Sequence, residues 1–388
     1  MKRTVSACLA LCLCVGMNVT AQETLKVKFR SRALLDTSVS GYGKESTQGY
    51  YRVEDFRVGF KATYGQYEVK ADVGLGGGKV AIKDLLLNYH WGNHTVSFGN
   101  GYEPFSMDML ISTADLRFNQ SAASVLAYTN SRKLGATYYY HAPHYLFCTG
   151  VYTHNDINKL GDTQKNAFVS TSRAVWRCSD SQQERLWHVG GAFSFRTKEV
   201  NTSVSPEGSV SSDGVTSLFS EPLLEASFPD MGTEVKGLVE ALYLAPRFMV
   251  QAEYFFDRMN RTSGEKAYRP HGGYIQGGFL LKGRGFEYDA KYGVPGRPST
   301  AKAIELVARF NYTDMNDDRA EIYGGEEKDL SLGVNFYLNQ YIGAKNTMTD
   351  GTYIGVKVNG SYVWVGPHCN AFYQKNFFLA QARLQYIF

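Results

Sequence analysis

The chain has 388 residues, of which 44% are apolar, 20% are charged and 14% are aromatic, and its formal net charge is +4. Mean hydropathy is -0.29, and the body of the chain has no run of the ~20 apolar residues that a spanning helix needs, which excludes a helical membrane protein. The small positive charge is no signature of nucleic-acid binding, so no nucleic-acid partner is expected.

Residues 1–21 have the pattern of a signal peptide. Lys2 and Arg3 form a basic start, Val5–Val15 is apolar, and Val19-Thr20-Ala21 offers the small residues that signal peptidase requires. We therefore expect cleavage after Ala21 and one exported domain over residues 22–388.

Strand patterns with one apolar face recur through the rest of the chain. Phe56, Val58 and Phe60 alternate with polar residues, and after the turn at Tyr64-Gly65 the alternation continues over 67–74, which predicts a hairpin. The same period of two recurs at 304–311, 331–339, 356–364 and 377–388. No helical period competes with it, so the sequence predicts an all-β protein.

Such strands build either a soluble sandwich or a transmembrane barrel. Aromatic residues cluster at strand ends, for example Tyr89 and Trp91, as in the girdles of outer-membrane barrels. The chain stops on an alternating strand, FFLAQARLQYIF, and its Tyr386 and Phe388 resemble the signal that the barrel assembly machinery reads in bacterial outer-membrane proteins. We therefore expect a transmembrane antiparallel β-barrel in contact with outer-membrane lipid.

The length fits a barrel of 16 strands. Cleavage after Ala21 leaves 367 of the 388 residues. Sixteen strands of ~10 residues use about 160 of them and leave about 207 for short turns and long loops. Sixteen strands enclose an aqueous channel, although fourteen or eighteen also fit the count. The Ser-, Gly- and Pro-rich stretch Thr197–Gly214 is predicted to be a surface loop.

One region carries a specific resemblance. Glu103-Pro104-Phe105 follows a predicted strand, Ser112, Asp115, Leu116 and Phe118 come next, and Arg132-Lys133 and Gly135 close the region. This order resembles the phosphate-selective porin O/P family. The downstream stretches GGYIQGGFLLKGRGFEYD, AIELVARFNYTDMND and DLSLGVNFYLNQYI resemble the strands of that family in order and spacing, so the likeness covers most of the mature chain.

The resemblance implies a 16-stranded porin, commonly a homotrimer, whose third loop folds inward and narrows a pore lined by arginines and lysines. Small solutes or anions would diffuse through it. By position the loop lies within Tyr102–Arg132. Its constriction candidates are Glu103, Pro104, Phe105, Ser112, Asp115, Arg117 and Phe118. The candidate pore-lining, anion-binding residues are Arg57, Lys61 and Lys70, on the polar phase of their strands, and the pair Arg132 and Lys133.

The chain departs from the family pattern at two places. It has Glu54-Asp55 where family members often carry two arginines, and Asn119-Gln120 where the family has Glu-Arg. Strict alternation turns Asp55 toward the lumen beside Arg57, whereas Glu54 reaches the lumen only near a rim or a bulge. A carboxylate among the cations offsets part of their potential, so we expect modest anion preference. The alternative is that Arg57, Lys61 and Lys70 are merely solvated.

Other chemical signals are weak, and we expect no cofactor, no metal and no enzyme activity. His90 with His94 and His141 with His144 lack a third ligand, and GLGGGK at 74–79 fits a hairpin turn better than a phosphate-binding loop. Cys148, Cys178 and Cys369 are odd in number and widely spaced, which favours packing roles, with one disulfide as the alternative. Two other functions stay open: a barrel whose outer loops bind a ligand or surface, and a barrel hydrolase.

Overall fold

The structure is a computed structural model that describes residues 24–387 apart from 43–45, 77–79, 160–166, 183, 200–207, 219–220, 341–352, 372 and 374. The predicted signal peptide, the tip of GLGGGK and Phe388 lie outside the described residues. Among the described residues, no helix is both long and apolar enough to cross a membrane.

The described chain is almost entirely β-structure. Its strands are β1 (Lys26–Tyr42), β2 (Ser46–Tyr64), β3 (Tyr67–Gly74), β4 (Ala81–Trp91), β5 (His94–Gly101), β6 (Lys133–His141), β7 (Tyr145–Thr153), β8 (Phe168–Ser179), β9 (Leu186–Arg196), β10 (Gly208–Ser212), β11 (Leu224–Phe228), β12 (Met231–Leu244), β13 (Phe248–Arg261), β14 (His271–Lys282), β15 (Phe286–Asp289), β16 (Val294–Pro298), β17 (Ala303–Asp317), β18 (Ile322–Gln340), β19 (Tyr353–Val365) and β20 (Phe377–Ile387).

Sixteen strands of this described part close into one antiparallel barrel, as the sequence predicts. The pairs β10–β11 and β15–β16 form two separate hairpins. Strand β20 pairs with β1 from Arg32 opposite Ile387 to Gly41 opposite Phe378, so the apolar run at the end of the chain is the closing strand.

Alternation divides each strand between lipid and lumen. On β2, Phe56 and Val58 are 39% and 42% exposed on the outer face. Asp55, the residue before Phe56, is 8% exposed on the inner face. Rings line up where strands end: Tyr67, Tyr89 and Trp91 form a chain with centroids 5.0 and 5.4 Å apart. The outer surface is therefore apolar with an aromatic border, as contact with a bilayer requires.

Short turns connect most of the strands at one end of the barrel. Gly65 and Gly92 begin two-residue turns with φ of 56° and 54°, a left-handed conformation that such hairpins favour and that glycine adopts without steric cost. The connections at the other end vary in length, and the longest runs from β9 to β12, residues 197–230. Loop 3, residues 102–132, is nearly as long and contains the short helices α1 (Met107–Leu110) and α2 (Ala123–Tyr128).

Two further segments enter the lumen. Within the stretch predicted to be a surface loop, residues 208–212 form β10, and its Val210 and Ser212 are buried, so that prediction is wrong for these residues. The connection from β14 to β17, residues 283–302, carries β15 and β16 and is called the inward hairpin below. Because β14 and β17 join at the end of the short turns, the inward hairpin and loop 3 fill the lumen from opposite ends.

Candidate functional site

Loop 3 crosses the lumen and is fastened to the barrel strands from β13 to β20, called the far wall below. Glu253 on β13 accepts hydrogen bonds from the backbone N–H groups of Met107 (2.7 Å) and Asp108 (3.1 Å) and from the Ser106 hydroxyl (3.0 Å). Glu253 thus serves as a distant cap for the first turn of α1, whose N–H groups have no partner within the helix.

The middle of loop 3 is held by buried charges. Arg117 of the loop pairs with Glu305 on β17 at 3.3 Å, and both side chains are completely buried. Lys357 on β19 donates to the carbonyls of Ala114 (3.2 Å) and Leu116. Such pairing is required, because an unpaired buried charge carries a large desolvation cost.

Arginines hold the inward hairpin as well. Arg173 on β8 donates to the carbonyls of Tyr292 (2.6 Å) and Gly293 (2.9 Å) while it pairs with Glu240 on β12. Arg117 also donates to the carbonyl of Gly296 at 2.7 Å, so one side chain links the hairpin and loop 3. The two inward segments therefore meet inside the lumen as one fixed body.

This body leaves space on the opposite side, against strands β1–β6, called the near wall below. A cavity of about 260 Å³ lies there. Five of its lining residues form what we call the cation ladder, which consists of Arg30, Arg32, Arg57, Lys70 and Arg132. All five come from alternate, inward positions of the near wall or from the end of loop 3.

Three carboxylates of the near wall are interleaved with the cation ladder. Asp72 pairs with Arg30, Asp55 is shared by Arg32 and Arg57, and Asp84 is shared by Lys70 and Arg132. The distances are 2.6 Å for Arg30–Asp72, 2.7 Å from Arg32 Nε to Asp55, 3.0 Å for Arg57–Asp55, 2.6 Å for Lys70–Asp84 and 2.5 Å for Arg132–Asp84. Five cations thus share three carboxylates.

The acid pair that departs from the family pattern lies at a bulge. The register of β1 against β2 shifts between Leu34 and Leu35, where Glu54 is the additional residue. Asp55 faces the lumen as alternation predicts. Glu54 accepts a hydrogen bond from Arg52 at 2.7 Å, and Arg52 also donates to the carbonyl of Ser217 in the connection between β9 and β12. The bulge therefore lets both carboxylates serve lumen contacts.

Arg132 is the ladder residue that lies outside the strands, at the end of loop 3. Burial lowers its pKa, but Tyr102 and Asp84 outweigh burial, so the pKa of Arg132 lies above its ordinary value. The guanidinium also stacks on the Tyr102 ring, 4.2 Å from the centroid. Arg132 consequently stays positive at every pH that the protein meets.

The chain matches a known protein family over nearly its whole length. The profile described as phosphate-selective porin O and P matches residues 19–388. The chain belongs to this family. It is a porin of the bacterial outer membrane.

Individual relatives of this porin are distant. An uncharacterized protein of Caulobacter vibrioides is 26% identical over 324 residues, which are 76% of this chain and 60% of the relative's length. The trimer form of OmpT from Vibrio cholerae is 11% identical with a TM-score of 0.57, covering 93% of this chain and 99% of that one. The anion-selective porin from Comamonas acidovorans is 9% identical with a TM-score of 0.55, covering 94% and 100%. At such identities the two structures support the fold alone.

The residues predicted for the pore fall into two groups. Arg57, Lys70 and Arg132 line the cavity, together with Ser112 and Asp115 of loop 3. Ser112 accepts a hydrogen bond from the guanidinium of Arg32 at 2.8 Å, and Asp115 pairs with Arg297 of the inward hairpin at 3.0 Å.

The other predicted residues lie away from the cavity. Lys61 pairs with Glu68 on β3 at 2.6 Å, and Lys133 is buried with its Nζ 3.7 Å from Glu103. Pro104 and Phe105 are buried, the latter beside Phe255 with ring centroids 6.4 Å apart. Phe118 lies under the guanidinium of Arg309 at 4.6 Å. In this porin Lys133, Pro104, Phe105 and Phe118, like Arg117, shape or fasten loop 3. Lys61 lies on β2 with its side chain 36% exposed, outside the lining of the cavity.

Sequence reasoning missed part of the site. Arg30 and Arg32 alternate along the first strand as Arg57 and Lys61 do along the second, so the same rule would have found them. Tyr292 could not be found in this way, because the alternation that marks barrel strands says nothing about a connection that folds inward.

Among the described residues, histidines and cysteines do not line the cavity. His90 bonds to Thr95 at 2.9 Å and His94 to Tyr138 at 2.7 Å. Within the described ranges, no group of three or more His, Cys, Asp or Glu side chains comes together as a metal site would require. Cys148, Cys178 and Cys369 are present as free thiols.

Proposed function

We propose that this porin is a passive channel with a modest preference for small anions. The observation that carries the proposal is the cation ladder, in which five cations share three carboxylates along one side of the cavity. A small anion that loses water at a narrow point needs positive side chains in return. The ladder supplies them, and the low-dielectric walls around it concentrate the field.

The preference is modest because much of the positive charge is already used. Asp55 takes contacts from both Arg32 and Arg57, and Asp84 takes contacts from Lys70 and Arg132. Asp115 and Asp289 also line the cavity. A phosphate ion would compete with these fixed carboxylates for the same donors, so strong phosphate selectivity is not expected.

Reversal potentials in asymmetric KCl across a planar bilayer test the proposal. Wild type should favour chloride over potassium. Asp55→Arg should raise the anion-to-cation permeability ratio, and the double substitution Arg57→Gln with Lys70→Gln should lower it. Lys61→Gln removes the same charge outside the cavity and is the matched control. The differences should shrink at high salt, because the Debye length falls from ~10 Å at 0.1 M to ~3 Å at 1 M.

Two outcomes would contradict the proposal. Cation preference in wild type, or equal reversal potentials in all the variants at low salt, would mean that the ladder does not set selectivity. Absence of conductance steps altogether would favour the alternative of a barrel whose outer loops bind a ligand or surface. Hydrolysis of a lipid or peptide by non-conducting protein would favour a hydrolase.

We further propose that export and insertion follow the pattern in the sequence, with cleavage after Ala21 and the closing strand read by the barrel assembly machinery. Tyr386, on β20, is 41% exposed on the lipid side. Phe388→Asp should therefore reduce the amount of heat-modifiable barrel in outer-membrane fractions, whereas Lys375→Asp, in the connection before β20, should not. Equal amounts of barrel for both variants would mean that the terminal phenylalanine is not part of the assembly signal. Mass spectrometry of the mature chain tests the cleavage site.

A homotrimer is the assembly that we propose. The support is the trimer form of the OmpT structure, whose fold this chain shares. Native mass spectrometry in detergent should give three times the mass of the mature chain. A uniform monomer at micromolar concentration would contradict it.

A further inference from the structure

The cavity has two unlike faces. The near wall presents the cation ladder. The opposite side presents the apolar residues Leu110 and Ile111 of loop 3 and Tyr292 and Val294 of the inward hairpin, together with the carboxylates Asp115 and Asp289. Apolar side chains of the two inward segments thus border the same cavity as the cation ladder.

The apolar face is the edge of a larger hydrophobic cluster. Ile111 and Val294 belong to a cluster with Met107 and Met249, and Leu110 and Tyr292 pack against it while they remain partly exposed. This cluster joins loop 3 to the inward hairpin and to the far wall, so its position is fixed by packing on three sides.

Tyr292 is the most firmly oriented part of this face. Its ring meets the Tyr139 ring edge-on, with centroids 5.6 Å apart and an interplanar angle of 85°. Its backbone carbonyl accepts from Arg173 at 2.6 Å, and its backbone N–H donates to Asp289 at 3.0 Å. Main chain and ring are therefore both held, and the ring forms a rigid apolar surface within the cavity.

We propose that the cavity binds small amphipathic organic anions, namely carboxylates that carry an aromatic or branched apolar group. The carboxylate would lie among Arg30, Arg57 and Arg132, and the apolar group would lie against Leu110, Ile111 and Tyr292. The inference rests on the proposed anion preference and adds the class of solute.

Size and hydration both favour such a solute. About 260 Å³ lies just below the roughly 300–1,000 Å³ of pockets for drug-sized ligands, so the space suits a single ring with one charged group. Inorganic phosphate is hydrated on every side, and the apolar face offers nothing in place of the water lost there. A phenyl group gains on that face, since each Å² of apolar surface removed from water contributes about 25 cal/mol.

Block of the KCl current in planar bilayers tests the inference on wild-type protein. Benzoate and acetate carry the same carboxylate, and they differ in the ring. We expect half-block by benzoate at about a tenfold lower concentration than by acetate, an affinity ratio that corresponds to about 1.4 kcal/mol. Benzylammonium carries the ring with the opposite charge, and it should not block at either concentration.

A substitution locates the effect. Leu110→Ser should raise the half-blocking concentration of benzoate several-fold while that of acetate changes by less than about twofold, because acetate is too short to cover the apolar face. Leu126→Ser is the matched control: Leu126 is a half-buried leucine of the same loop, on α2, outside the cavity. It should leave the benzoate value at wild type.

Each result has one meaning. Equal half-block by benzoate and acetate in wild type overturns the inference, even where chloride preference persists. Tight benzoate block that Leu110→Ser and Leu126→Ser change alike overturns the assigned face. If wild type shows no chloride preference but benzoate still blocks, the proposed function is overturned instead. Failure of the inference and failure of the proposed function are therefore distinguishable.

Discussion

The near and far walls of the barrel carry the same kinds of side chain, with opposite consequences. On the far wall, Glu305 pairs with Arg117 with neither exposed, and Lys357 is 1% exposed. On the near wall, the side chains of Arg30 and Lys70 keep 16% and 27% of their surface exposed. The difference lies in loop 3, which covers one wall and leaves the other open. An inward-facing charge thus holds loop 3 in place on the far wall and lines the cavity on the near wall.

The largest loss of stability is expected when a buried ion pair of the far wall is broken. Arg117→Ala leaves Glu305 buried and unpaired, which should lower stability by about 3–5 kcal/mol and loosen loop 3. The temperature at which the folded band disappears in heat-modifiability gels should fall, and single-channel conductance should rise. The matched double variant, Arg117→Met with Glu305→Met, removes both charges and should lose less. Equal losses would show that the pair is not what fastens the loop.

The inward hairpin should show a smaller effect of the same kind. Arg177 on β8 donates to the carbonyls of Ala290 (2.7 Å) and Pro143 (3.0 Å), with no carboxylate partner among the described residues. Arg177→Ala should cost about 1.5–3 kcal/mol, the range for hydrogen bonds to charged groups. Arg185, exposed in the turn before β9, gives the control Arg185→Ala. The gel transition temperatures of both variants test this prediction. An equally large shift for Arg185→Ala would mean that the hydrogen bonds of Arg177 do not hold the inward hairpin.

Arg132 and Lys133 are adjacent in the chain, but Arg132 lines the cavity and Lys133 is buried. Arg132→Gln removes a ladder charge and should lower the anion-to-cation permeability ratio about two- to fourfold at 0.1 M KCl, the effect of one charge at several ångströms in water. Lys133→Gln should leave the ratio unchanged, because Lys133 is buried beside Glu103. Reversal potentials measure both. Similar shifts for the two variants would mean that position along the chain, rather than side-chain direction, governs selectivity.

The smallest effect should come from Asp108 in loop 3. Burial raises its pKa above the ordinary value of an aspartate, although Ser121 and Arg309 act against burial. A carboxyl whose pKa is raised on folding carries a stability penalty that is absent below its unfolded pKa. The penalty grows as pH rises from the unfolded to the folded pKa and is constant above it. Asp108→Asn should therefore raise the gel transition temperature at neutral pH and match wild type at pH values below 3.8. Asp318→Asn, at an exposed site, is the control, and a pH-independent difference would contradict this account.

The sequence by itself determined the barrel. A side-chain period of two can bury one face only in a sheet, and lipid on the other face leaves closure as the sole way to satisfy the backbone. The alternation therefore fixed which residues point inward, including Asp55, Arg57 and Lys70, and the apolar end of the chain marked the closing strand. The same rule applied to the first strand would have added Arg30 and Arg32.

Only the tertiary structure decided which inward residues meet water. Arg117 and Lys133 have the residue types of a pore, yet each is buried beside a carboxylate, Glu305 for Arg117 and Glu103 for Lys133. The apolar face of the cavity arises where residues 110–111 and 292–294, far apart in the chain, pack into one cluster. Local periodicity carries no information about such contacts, because they depend on where two connections fold inside a closed barrel.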